Sequence, residues 1–277
     1  MRHAALLLVA SLIAAPVIAQ PSLAPAPADL LARIGQYVEE YFRSARTIVS
    51  RETIRLQPVN GTMAPRESPR VLVYELRVES DPGNVLPSMT RRLVKASGDI
   101  APTRADSECF DPPDVSIDPL ARLLPERQKE FTFSVRRGSS SRVIEIDFTP
   151  VLRRAPVVMW AGNCARVDID GSTRGRIWVE AGTGAVVRAE ERLDKPFSFV
   201  SPPATGGNRL PIQQSLEQFE SSVRYEPVRF RDPDEIVMLP KSARTLTVFY
   251  NGGVPRLLTV QSFDKYQRFV TGGRVVK

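Results

Sequence analysis

From Arg70 the chain reads RVLVYELRVES, and its side chains change character at every second residue. Leu72, Tyr74, Leu76 and Val78 fall on one side of an extended backbone, and Val71, Val73, Glu75, Arg77 and Glu79 on the other. The period recurs in SRVIEIDFT, where Ile144, Ile146 and Phe148 oppose Val143, Glu145, Asp147 and Thr149. It recurs again where Phe131, Phe133 and Val135 alternate with Thr132, Ser134 and Arg136. One apolar and one wet face belong to antiparallel strands. Further strands are predicted near 46–57, 89–97, 156–168, 174–180, 185–194, 216–231, 236–250 and 254–270.

Two segments have a helical period instead. In PADLLARIGQYVEEYFRSA, Leu30, Ile34, Tyr37 or Val38, and Tyr41 recur every three or four residues, with Asp29 near the start. This predicts an amphipathic helix over 29–44 whose apolar stripe packs on the protein's own sheet. A short second helix is predicted at about 118–130, DPLARLLPERQKE. A helix followed by many strands is not the alternation of a doubly wound α/β fold. The predicted class is α+β, mostly β, built on one large antiparallel sheet.

The N-terminus carries Arg2 and His3 and then the apolar run AALLLVASLIAAPVIA, with small residues before a cut after Ala19. The run is too short to span a bilayer and reads as a secretory signal over 1–19. A Pro-rich, extended lead-in is expected over 20–28, outside the core, and a single antiparallel-sheet domain over 29–277. The mature protein is expected to be periplasmic or secreted and not membrane-spanning.

His3 is the only histidine, so a cleaved chain would have none. That removes histidine-dependent triads, Cys–His pairs and imidazole-rich metal sites. Cleavage also removes one of 38 basic residues, which stand against 31 acidic ones, a modest positive balance spread along the chain. No cluster of basic residues with interleaved aromatics occurs in the sequence, so no nucleic-acid partner is expected. Cys109 and Cys164 are the only cysteines. In an oxidising compartment one disulfide between them is expected, stabilising by about 4 kcal/mol in the chain-entropy model. A reactive thiol pair is the alternative, without C-x-x-C spacing or an activating histidine.

WVEAGTGAVVRAE, Trp178 to Glu190, contains Gly182-Thr183-Gly184, which superficially suggests a phosphate loop. Such a loop needs a helix and a Lys after its glycines. Here Val187, Ala189, Glu191 and Leu193 alternate with Val186, Arg188, Glu190 and Arg192, so the segment is a hairpin. Ser262 and Lys265 match a Ser-x-x-Lys pattern, but on a strand that spacing places them on opposite faces. Asp168 to Gly175, DIDGSTRG, begins like a calcium loop but has Ile177 where the closing glutamate belongs, so it reads as a turn. RRGSSSR also reads as a turn. The acidic stretch Asp106–Asp118 lies in a Pro-rich loop and reads as solvated; a carboxylate hydrolase would need Asp111, Asp114 or Asp118 paired in a cleft. No catalytic, cofactor or metal residues are assigned.

With the hairpin placed, GRIWVEAGTGAVVRAEERL and the closing ARTLTVFYNGGVPRLLTVQSFDKYQRF resemble the periplasmic outer-membrane lipoprotein carrier and receptor superfamily (LolA/LolB-like) and its related envelope sigma-factor regulators. Trp178, Thr183, Gly184, Arg188 and Glu190 match that family's hairpin pattern, Glu180 replaces its usual Asp, and the match covers mainly 171–270. The resemblance implies a curved, unclosed half-barrel whose concave face, lidded by helices, holds acyl chains without catalysis. The expected function is therefore an exported, non-enzymatic binding protein for an apolar ligand, a lipid, acyl chain or lipoprotein. The alternative is an envelope protein–protein interaction or sensor module without a small ligand.

Overall fold

The computed structural model describes residues 23–79, 88–97, 118–136, 142–161, 164–200, 211–251 and 256–268. The predicted signal over 1–19, Cys109, the carboxylates Asp111 and Asp114, and most of RRGSSSR lie outside the described residues.

Among the described residues fourteen strands and three helices follow one another. They are β1 (Leu23–Pro25), α1 (Ala28–Ala45), β2 (Ile48–Pro58), β3 (Arg70–Glu79), β4 (Ser88–Ser97), α2 (Asp118–Ala121), α3 (Pro125–Gln128), β5 (Phe131–Arg136) and β6 (Val143–Pro150). Then come β7 (Val157–Ala161), β8 (Cys164–Asp168), β9 (Thr173–Glu180), β10 (Val186–Leu193), β11 (Phe197–Val200), β12 (Gln213–Arg231), β13 (Asp234–Tyr250) and β14 (Arg256–Arg268). The main sheet runs β1-β5-β6-β9-β10-β12-β13-β14-β2-β3-β4, all antiparallel and unclosed, with β11 beside β12 beyond the end of β10. β14 lies between β13 and β2, so the last described strand joins the earliest long one.

The register turns the two-residue alternation into two continuous faces. One row runs Val135, Ile146, Ile177, Ala189, Val223, Ala243, Gln261, Ile54, Leu72 and Ala96, directly opposed strand by strand. This inner face curves around α1. Leu30, Ile34, Val38, Tyr41 and Phe42 of the helix share one core cluster with Leu76 on β3, Phe263 on β14, Ile177 on β9 and Phe133 on β5. Elements from nearly the whole width of the sheet thus meet one helix, which is what makes the sheet a half-barrel. A smaller cluster of Ile54, Leu56 and Leu72 lies further along β2 and β3.

Two glycines have a steric reason. A Cβ on Gly175 would lie 1.9 Å from the Glu190 carbonyl oxygen and 2.7 Å from Cζ of Phe148, so its absence leaves that ring room to pack over β9. Gly184 has φ +74° and touches the α1 backbone at Arg33 and Ile34, so it serves both the hairpin turn and the helix seat.

Four predictions are refined. The helix expected over 118–130 is two short turns, because Pro125 forces Leu124 into an extended conformation (φ −59°, ψ 140°). The strand expected over 156–168 is two, β7 and β8, paired as a separate hairpin with Ala161 opposite Cys164. Part of the Pro-rich lead-in is not outside the sheet: Leu23–Pro25 pair with Ser134–Arg136, at an edge where a proline without an N–H is tolerated. The four-residue β11 has no counterpart in the sequence reading. Among the described residues no helix is long and apolar enough to cross a membrane.

Candidate functional site

The polar face of the sheet holds the least expected arrangement. Its central row reads Ser134, Asp147, Arg176, Glu190, Ser222, Arg244, Val260 and Arg55 across eight strands. The next row toward the hairpin reads Glu145, Trp178, Arg188, Arg224 and Ser242. The row on the other side begins Arg174, Arg192, Glu220 and Leu246. Two arginine pairs are therefore directly opposed, Arg188 with Arg224 and Arg174 with Arg192, both involving β10. These arginines lie far apart in sequence; antiparallel pairing collects them.

Together these residues line an open groove of about 1100 Å³ that extends from Arg136 on β5 to Val260 on β14, with Gly61 and Met63 of the β2–β3 loop also lining it. Eight arginines and four acidic residues line it. Several carboxylates are already engaged. Asp147 accepts from Arg176 Nε at 2.6 Å and from Arg136 Nε at 3.0 Å. Glu190 pairs with Arg188 and accepts from Ser222 Oγ at 3.4 Å. Glu191 points to the inner face, where the buried Arg122 donates to it at 2.7 Å. Arg188 lies 4.7 Å from the Trp178 ring centroid and Arg176 5.6 Å, so the indole carries guanidinium groups. Arg174 reaches Asp194 at 3.3 Å. Arg192, Arg224 and Arg244 are exposed and have no carboxylate within ion-pair distance among the described residues.

The inner face offers different chemistry. Arg122 lies over the Phe148 ring at 4.5 Å, and Glu191 also accepts from Thr173 Oγ1 at 3.2 Å. Glu52 is wholly buried, bonded by Arg91 Nε at 2.6 Å and by Gln261 Nε2 at 3.0 Å. Burial holds the phenols of Tyr41 and Tyr225 above their usual range, so they stay protonated. The concave face that the family resemblance assigns to an acyl chain carries α1. Gln128 Nε2 ties the α2–α3 turns to that helix through the Leu31 carbonyl at 2.9 Å.

The other residues singled out in the sequence fall apart as sites. Thr183 Oγ1 donates to Glu180 Oε2 at 3.0 Å and accepts from the Ala185 amide at 3.1 Å, closing the hairpin turn. Ser262 is exposed on β14, while Lys265 has φ +50° at an irregularity of that strand. In DIDGSTRG, Asp168 accepts from the Asp170 amide at 2.9 Å and Asp170 takes Arg127 at 2.9 Å, so both carboxylates serve the turn. Asp118 opens α2, with its side chain outside the described residues. Cys164 opens β8, but its side chain, like all of Cys109, also lies outside the described residues. Comparison with family models, with curated proteins and with solved structures returns no match to this chain.

Proposed function

We propose that this is an exported, non-enzymatic binding protein, periplasmic or secreted, whose ligand is an anion held in the arginine-lined groove. The observation that supports it is the pair of directly opposed arginines on each side of Glu190. Like charges directly opposite on one face of an antiparallel pair destabilise the sheet. A sheet selected for stability alone gains nothing from such pairs, whereas an anion placed between guanidinium groups relieves the repulsion and gains charge-assisted hydrogen bonds.

An apolar ligand on the inner face is the second reading, favoured by a row that is apolar except at Gln261 and by its helical lid. It would have to lift α1 and expose Leu30, Ile34, Val38 and Phe42, each worth roughly 1.5–3 kcal/mol when buried. The deciding experiment is calorimetric titration with dextran sulfate, neutral dextran and a fluorescent fatty acid. The expected result is salt-dependent binding of dextran sulfate, none of neutral dextran, and none of the fatty acid. Fatty-acid binding without dextran sulfate binding would replace the groove with the inner face as the site.

A further inference from the structure

Resting on the anionic reading of the groove, we infer that its ligand is an acidic polysaccharide that bridges two anion subsites. The first subsite is Arg188, Arg224 and Arg244, on three adjacent strands. Arg188 and Arg224 are directly opposed, and Arg244, which faces Ser222, is diagonal to Arg224 at roughly 7–8 Å. The second is Arg174 with Arg192. Arg188 and Arg192 are four residues apart on β10, so the outer rows of the two subsites lie roughly 13 Å apart at the rise of a strand, with Arg244 reaching into the row between them. A single small anion fills one of them. A groove of about 1100 Å³ also exceeds the ~300–1,000 Å³ of ordinary small-molecule pockets.

What lies between the subsites selects the polymer. Glu190 and Ser222 stand side by side at the centre of the middle row, flanked by Arg176 and Arg244. An acceptor carboxylate there takes a hydrogen bond from a hydroxyl, which a sugar ring supplies and the side chains of polyglutamate do not. Single-stranded nucleic acid binds by stacking bases on aromatic faces. The indole in this face is Trp178, flanked by the guanidinium groups of Arg176 and Arg188. An acidic peptide in extended form docks by adding a strand to a free sheet edge. Among the described residues the free edges of the main sheet are β1, β4 and the outer side of β11, and the groove floor runs from β5 to β14 over strands with a neighbour on each side. Charged carboxylates alternating with hydroxyls, as in a polyuronate, match both the spacing and the filling.

The test is titration with oligogalacturonates from monomer to octamer, beside polyglutamate and an oligothymidylate of matched charge. The octamer is expected to bind about a hundredfold more tightly than the dimer, which reaches one subsite. Arg224→Ser and Arg192→Ser are each expected to weaken the octamer about tenfold, the loss of one charge-assisted contact. Equal affinity for dimer and octamer overturns the bridging, and polyglutamate or oligothymidylate binding as tightly as the octamer overturns the sugar. If dextran sulfate binds and oligogalacturonates do not, this inference fails and the anionic groove stands. If neither binds, both fall.

Discussion

Arg224→Glu turns a like-charge pair into an opposite-charge pair without touching the core. Arg224 faces Arg188 across the β10–β12 ladder, and side chains directly opposed there have Cβ atoms about 4.5–5.5 Å apart. Two unit charges at roughly 5 Å interact by about 0.8 kcal/mol in bulk water, and by more in the lower dielectric of a protein surface. Arg188 already has Glu190 beside it, which offsets part of the repulsion. Cross-strand charge pairs are worth about 0.2–1 kcal/mol, and reversal both removes the repulsion and adds an attraction. The expected gain is therefore about 1 kcal/mol, or a Tm rise of about 2–4 °C for a domain of this size. Thermal unfolding followed by far-UV circular dichroism measures it, with Arg224→Gln expected to show about half the rise. Raising salt from about 0.1 to 1 M shortens the Debye length from about 10 to 3 Å, so the gain should shrink. The same variant is expected to lose dextran sulfate binding. A lowered Tm, a salt-insensitive gain or unchanged binding would refute the claim that this site trades stability for an anion.

Three further outcomes follow from the packing. Gly175→Ala forces a methyl into the Glu190 carbonyl and the Phe148 ring and is expected to cost about 1–3 kcal/mol, read as a fall in urea midpoint. Arg91→Ala leaves Glu52 charged and wholly buried, so a loss of about 3–5 kcal/mol is expected; the double variant Arg91→Leu with Glu52→Gln should recover most of it. Non-reducing mass spectrometry of exported protein is expected to find no free thiol at Cys109 or Cys164, and Cys109→Ser to lower Tm by several degrees; alkylation of both thiols in the native protein would rule the bond out.

The fold was legible where alternation was clean. Leu72, Tyr74, Leu76 and Val78 point inward as their spacing requires, and the helix predicted over 29–44 spans Ala28–Ala45. The Gly182–Gly184 turn was legible because no helix signal follows it. Pro125 held the break between α2 and α3, a local rule that outweighed the helical period on either side. β11 is four residues long and gains its place from β12, so local pattern had little to offer. The groove was hidden for a different reason. Arg174, Arg192, Arg224 and Arg244 are each an unremarkable wet-face residue, and only the register of four strands makes them neighbours. A sequence test for alternating-position arginines on consecutive predicted strands would have raised the possibility. Knowing which arginines face each other needed the pairing itself.

The place of β14 has a consequence for when this molecule comes into being. Before β14 is available, the hydrogen-bonded strands form two unconnected blocks, β2-β3-β4 and the run from β1 to β13. The contact that unites them joins residues as distant as Arg51 and Asp264, 213 positions apart, which bond at 2.7 Å. Such long-range closure is slow and comes late. A nascent chain still lacking β14 cannot complete the sheet, so N-terminus-first folding of the whole sheet waits until β14 has been made. For a protein proposed to be exported, that delay leaves the two blocks of the sheet apart, and the chain short of its locked form, for as long as β14 is missing.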